Sequence, residues 1–152
     1  EILLAAEAPA PLAVLRFTAV YGPGDTHNSY GPNRFVRQAV TERRIPLFGE
    51  GEELRDHLYV DDGAAVLRKA IERRSTGTLN VASGSSRTFR SVADRIAAAC
   101  DAAVAPSPRN NPVTHRHFDA TPLLTAFPDM RFTSFEEGLD RTLAAAREAA
   151  RA

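Results

Sequence analysis

A strand that runs straight into a glycine–proline turn sets the architecture of this chain. Leu12 to Val20 is rich in β-favouring apolar residues and ends abruptly in Tyr21-Gly22-Pro23-Gly24. Such side chains pack well on a pleated surface, whereas glycine and proline turn the backbone. The pattern predicts a buried strand delivered into a loop. An open α/β sheet takes its ligand in the crevice beyond the carboxyl ends of its strands, so a site is expected beside this junction.

The rest of the chain alternates between strand and helix patterns. Gly22 to Pro32 reads as loop, with Asp25, His27 and Asn28 among its glycines and prolines. Asn33 or a neighbour opens a helix to about Arg44, with Phe35, Val36, Ala39 and Val40 on one face. Ile45 to Phe48 is a short strand, Gly49 to Glu53 a turn, and Leu54 to Val60 a second strand. Asp61 or Asp62 is placed to cap a helix to about Arg74, since a carboxylate accepts the free amides of a first turn. Gly77 to Ala82 is a strand closed by Ser83-Gly-Ser-Ser86, and Thr88 caps a helix from Phe89 to about Ala102.

Pro106 to Pro112 reads as loop and Val113 to Phe118 as a short strand. Thr121-Pro122 is a cap followed by a proline in the first helical position, and that helix ends near Phe127-Pro128. Ser134, with Glu137 three residues on, is a capping box that opens the longest helix, to about Ala150. Glu1 to Glu7 carries helix formers and is stopped by Pro9 and Pro11. The expectation is an α/β fold of short strands with about five helices.

Composition narrows the functional classes. A chain of 152 residues is one domain's worth and long enough to bury a core. Basic and acidic residues balance at 19 each, so no excess of either sign points to nucleic acid or a membrane surface, and neither is assigned as a partner. A single cysteine, Cys100, forbids an internal disulfide, and no apolar run approaches the roughly 20 residues of a membrane span. The expected setting is reducing and cytoplasmic. No signal-peptide pattern opens the chain, and its first residues look like the tail of a helix that begins earlier.

Two stretches together carry a family resemblance: Leu15-Arg-Phe-Thr-Ala-Val-Tyr-Gly-Pro-Gly-Asp25, and Ile45-Pro-Leu-Phe-Gly-Glu-Gly51 followed by Leu54-Arg-Asp-His-Leu-Tyr-Val-Asp-Asp62. The chain resembles the NAD-dependent epimerase/dehydratase family, the extended branch of the short-chain dehydrogenase/reductases, with their Rossmann-type fold. The resemblance covers nearly the whole chain but only the second half of such an enzyme. The glycine-rich dinucleotide fingerprint and the Tyr-x-x-x-Lys pair of the family are not in it. It therefore implies that residues 1–152 form a single carboxyl-terminal, substrate-binding domain without its amino-terminal NAD-binding half, and no catalytic residue is assigned. NAD or NADP would serve the intact parent, and none is expected to bind this chain tightly alone.

The same resemblance suggests roles residue by residue. Arg55, in Gly49-Glu-Gly-Glu-Glu-Leu-Arg-Asp56, stands where the family's arginine reaches the phosphates of a nucleotide-sugar, a task suited to a permanently charged, forked guanidinium. The bland alternative is an arginine paired with Asp56 or a surface glutamate. Leu47 and Phe48 match the short strand that lies against the nucleotide base, although a phenylalanine in an apolar strand also serves as core. Phe17 and Thr18 fall where the backbone passes the nicotinamide ring. Ala19 replaces the asparagine that many nucleotide-sugar members use to donate to the diphosphate, so either a residue near Asn33 supplies that contact or the substrate differs. Arg109 lies where a further phosphate-binding arginine can occur.

Other motifs carry less. His115-x-His117-x-Asp119 would share one strand face, but a zinc site needs a fourth ligand at a readable spacing, and no metal is assigned. Gly49-x-Gly51 precedes a strand and lacks the third glycine of a dinucleotide fingerprint. Ser83-Gly-Ser-Ser86 lacks the elbow of serine hydrolases. Cys100, among alanines in a helix, reads as an inert core thiol. The leading expectation is the substrate-binding part of a sugar-nucleotide epimerase or dehydratase, incomplete by itself. The alternative is a noncatalytic module that associates with itself or a partner, as a homo-oligomer or through the unpaired edge of its first strand.

Overall fold

The computed structural model describes residues 11–151. The long apolar run near the start becomes two strands, β1 (Ala13–Phe17) and β2 (Ala19–Tyr21), divided at Thr18. This corrects the single strand expected over Leu12 to Val20. The division arises because the run changes neighbours: β1 pairs in parallel with β5 (Gly77–Val81), and β2 pairs in parallel with β4 (Leu54–Tyr59). Thr18 ties both together, its amide donating to Val81 O at 3.1 Å and its hydroxyl to Asp56 O at 2.8 Å. Among the described residues β1 has β5 as its sole strand partner, so its other edge is open.

A second layer begins with α1 (Pro32–Glu42), which starts with proline at a position needing no amide donor. It leads into β3 (Arg44–Phe48), which pairs in parallel with β7 (Ala103–Ser107). The loop expected from Pro106 therefore begins two residues later. Pro106 is tolerated in β7 because, among the described residues, that strand has β3 alone as neighbour, leaving one edge free of donors to satisfy. A short β6 (Ser86–Thr88), also not foreseen, lies antiparallel to β4.

Helices α2 (Val60–Glu72), α3 (Phe89–Cys100), α4 (Thr121–Ala126) and α5 (Phe135–Ala149) complete five among the described residues, as the pattern predicted. Thr88 Oγ1 accepts from the Ser91 amide and Ser134 Oγ from the Glu137 amide, so both expected caps form. The cap assigned to Asp61 or Asp62 does not. Tyr59 holds the cap position of α2 without a side-chain bond, and the Asp62 carboxylate instead accepts from the amide and hydroxyl of Thr133, both at 2.9 Å. Thr121 is likewise the first residue of α4 and not its cap, and its amide is taken by Asp119 at 2.8 Å. Residues 113–118 form no strand. The helical tail expected over Glu1 to Glu7 lies outside the described residues.

Apolar faces at helical and strand spacing gather into two cores. One joins α1, α3, α5 and β3 through Phe35, Ile45, Leu47, Ile96 and Leu139, with Cys100 buried among them. The other joins α2, α4, β4 and β5 through Leu58, Val66, Val81, Leu123 and Phe127. The Gly49–Glu53 turn leads from β3 into β4, and polar groups collect beside it. No helix among the described residues is long and apolar enough to cross a membrane.

Candidate functional site

The turn between β3 and β4 shapes the site, and two glycines make the turn. Gly49 and Gly51 have φ of 59° and 76°, the left-handed region that side chains other than glycine's resist. A Cβ on Gly51 would sit 2.8 Å from the Arg90 amide, and one on Gly49 would sit 2.8 Å from Arg109 Nε. The turn is pinned to the start of α3 by Arg90 N donating to Gly51 O and Phe89 N to Glu53 O, at 2.9 and 3.1 Å. From there strand alternation puts Glu53, Arg55 and His57 on one side of β4 and Asp56 on the other.

Asp56 is fully buried and spends its carboxylate on the amide and hydroxyl of Ser83 and the amide of Ser85, at 3.0 to 3.1 Å. The Arg55–Asp56 pair weighed on sequence therefore does not form. Arg55 reaches outward instead. Its guanidinium donates to Leu54 O at 2.9 Å, to Thr114 O and to Thr114 Oγ1, lies 3.6 Å from Glu53 Oε1, and covers the Phe89 ring at 5.7 Å.

Arg109 arrives from the segment after β7. Its Nη2 donates to Phe48 O at 2.7 Å and its Nη1 stands 3.2 Å from the same Glu53 oxygen, while Glu52 lies 3.4 Å from Nη2. Arg109 Nε is buried and has no hydrogen-bond partner among the described residues. Phe48 is half exposed, its inner side against the Tyr30 ring at 4.8 Å, and its amide donates to the Tyr30 hydroxyl at 3.0 Å. Leu47, one residue earlier, points the other way and is fully buried in the core.

Of the residues named on sequence, Arg55 and Arg109 meet at Glu53 and Arg109 reaches the carbonyl of Phe48, while Leu47 belongs to the core. Thr18, between β1 and β2, reaches β4 through its hydroxyl's bond to the Asp56 carbonyl. Asn33 and Phe17 do not join the arginines. The Asn33 side chain faces the first turn, where its Oδ1 accepts from the Gly22 amide at 3.1 Å. Phe17 is 38% exposed at the end of β1, against Gly63 of α2.

Sequence reasoning missed Glu53, Tyr30 and Thr114. Glu53 was legible in principle, since it lies two residues before Arg55 on the same strand face. Tyr30 and Thr114 sit in segments without a periodic pattern and were not.

Electrostatics follow from this crowding. Burial acts to raise the Glu53 carboxyl, but the Thr114 amide and the Arg109 and Arg55 guanidiniums outweigh it and hold the group below the ordinary carboxylate value. Burial raises the Tyr30 phenol. His57, 5% exposed among Tyr21, Phe89 and Phe135, has neither ring nitrogen hydrogen-bonded among the described residues. Burial first, then the positive Arg55 and Arg87, push it down to about 4.

His115 and His117 stack at 6.4 Å, and His115 Nδ1 accepts from the Leu54 amide. The strand that would have aligned them with Asp119 is absent, and no group of three or more His, Cys, Asp or Glu among the described residues could hold a metal ion.

Two guanidiniums near a half-exposed aromatic ring lie at the border of a parallel α/β layer of Rossmann type. The chain belongs to the NAD dependent epimerase/dehydratase family, whose pattern it matches over residues 2–82, more than half its length. It is similar to the dTDP-L-rhamnose 4-epimerase of Burkholderia thailandensis, 36% identical over 93 residues, which cover 58% of this chain and 26% of the relative. Among solved structures it is similar to an NAD-dependent NDP-hexosamine 5,6-dehydratase of tunicamycin biosynthesis, with 27% identity, a TM-score of 0.83, and coverage of 95% of this chain and 48% of that one. The UDP-glucose 4-epimerase of Thermus thermophilus, solved with NAD, matches at 26% identity and a TM-score of 0.76, over 90% of this chain and 47% of that one. The chain spans about a quarter of the length of such curated relatives and about half that of the solved structures. These neighbours share its α/β architecture of short, largely parallel strands.

Proposed function

We propose that this chain is the substrate-binding portion of an NAD-dependent sugar-nucleotide epimerase or dehydratase. The observation that carries this reading is the convergence of Arg55 and Arg109 on Glu53, with Arg109 bonded to the carbonyl of the half-exposed Phe48. A diphosphate suits paired guanidiniums, which give directed, charge-assisted hydrogen bonds, and a nucleobase suits an aromatic face. The relatives' names, dTDP and NDP sugars, support the same substrate class. Ala19 adds no donor, so the grip rests on the two arginines.

The described residues fit a wall of a NAD site and not its cradle. Phe17 stands exposed at the end of β1, while in the turn after β3 Gly51 is filled in by Leu47 and Arg90 and Gly49 by Arg109 and Glu52, which leaves no room for a pyrophosphate. NAD, when bound by a whole family member, would accept and return a hydride. This chain's part is to hold and orient the sugar nucleotide. The open edge of β1, with Phe17, Leu67 and Ile71 exposed around the groove it forms with α2, is the seam for the sheet of the remaining half.

Calorimetric titration with nucleoside diphosphates, nucleotide-sugars and NAD tests the reading. Binding of one nucleotide series, lost in Arg55→Ala and in Arg109→Ala, is the expected result. Titration curves that the two variants leave unchanged would refute it. The same open edge favours a second reading, a noncatalytic module that pairs with a copy of itself. Sedimentation over a concentration series decides that one, because a strict monomer at high concentration excludes it.

A further inference from the structure

The carboxylate between the two arginines is the least expected group in the site. Glu53 Oε1 lies 3.2 Å from Arg109 Nη1 and 3.6 Å from Arg55 Nη2, and it accepts from the amide and hydroxyl of Thr114 at 3.3 and 3.4 Å. Its side chain is only 13% exposed, like those of Arg55 at 17% and Arg109 at 14%. The carboxylate therefore shares the sheltered space of the guanidiniums.

Glu52, more exposed at 47%, takes a further contact to Arg109. Two positive and two negative side chains cancel, so a ligand carrying two phosphates meets a site with no net positive charge. A carboxylate presents oxygens to guanidinium donors much as a phosphate does. Resting on the reading above, we propose that Glu53 is a specificity-determining residue that fills the anion seat of Arg55 and Arg109, so that a phosphate-bearing ligand must displace it to bind.

The surroundings allow such an exchange. The backbone of Glu53 is held through its carbonyl by the Phe89 amide, so displacement is a rotation of the side chain and not a movement of the turn. Thr114, which holds the carboxylate and also receives Arg55, would release the first and keep the second. The consequence is selection by charge: ligands with one weak anionic group fail to evict Glu53, and nucleoside diphosphates bind more weakly than two free arginines would allow.

The test is titration of the whole chain with uridine diphosphate and thymidine diphosphate, beside uridine and thymidine. Glu53→Gln keeps the size of the side chain and removes the competing charge. It is expected to tighten diphosphate binding by about tenfold, the scale of a charge-assisted contact in a sheltered site, and to leave the nucleosides unchanged. Glu53→Asp, whose shorter carboxylate spans the two guanidiniums less well, should gain less, and Glu52→Gln less again because its charge is more open to water.

Diphosphate affinity that is equal or weaker in Glu53→Gln, while Arg55→Ala still abolishes binding, overturns the displacement and leaves the arginine grip standing. An equal gain from Glu52→Gln reduces the effect to general charge and also overturns it. No binding by any form, Glu53→Gln included, overturns both this inference and the proposed function.

Discussion

A histidine sealed among aromatic rings makes the stability of this protein depend on pH. His57 has an ordinary value of 6.5 and is pushed down to about 4 by burial, then by Arg55 and Arg87. The unfolded chain therefore binds more protons than the folded one across that window, and stability falls as pH drops from 6.5 towards 4. The loss attributable to His57 is on the order of 3 kcal/mol at the lower end. Urea unfolding at stepped pH should show this slope, and His57→Phe, which fits the aromatic surroundings and has no proton to gain, should flatten it. Superimposable slopes for the two proteins would place the dependence elsewhere. The family resemblance singled out Arg55 and Arg109 as candidates. It could not expose the state of His57, because its burial comes from Tyr21, Phe89 and Phe135, contributed by three separate segments.

At the level of single elements, α5 shows how a local rule can be overruled. Gly138 lies inside the helix, where alanine would ordinarily stabilise by up to about 1 kcal/mol. A Cβ there would fall 2.4 Å from the Tyr21 hydroxyl and 2.8 Å from Tyr59 Cδ2. Tyr21 is 2% exposed, and its hydroxyl donates to Phe135 O at 3.2 Å, so the ring has little freedom to retreat. Gly138→Ala is accordingly expected to lower stability by roughly 1–3 kcal/mol, the usual cost of overpacking. A thermal midpoint equal to or above the wild type would show that the tyrosines yield.

The same helix illustrates what is legible locally. Ser134 and Glu137 marked its start, because a cap is an interaction among neighbours in sequence. Asp62 misled for the opposite reason: a carboxylate suited to capping α2 was claimed by Thr133, 71 residues away.

For the whole molecule, the decisive surface is the open edge of β1 and the apolar groove beside it. Leu67 is 46% and Ile71 76% exposed on α2, flanking Phe17. Exposed apolar side chains clustered along the open edge of a strand favour association. Sedimentation velocity should therefore show reversible self-association of the chain. The double substitution Leu67→Lys and Ile71→Lys should reduce it while leaving nucleotide affinity unchanged, since both residues lie away from Arg55 and Arg109. Persistent association in that variant would locate the contact on another face.

The sequence by itself determined most of the alternation of strands and helices, the two caps that depend on adjacent residues, and the tight turn at Gly49 and Gly51. Each of these follows from interactions within a few residues, where side-chain period, proline geometry and glycine freedom act directly. The tertiary structure alone decided that the first run splits at Thr18, that β6 and β7 form, that Asn33 serves the Gly22 turn, and that Glu53 sits between Arg55 and Arg109. Those outcomes depend on which distant segments meet. A polar side chain takes the partner that folding brings to it, and strand pairing follows the neighbour that burial supplies.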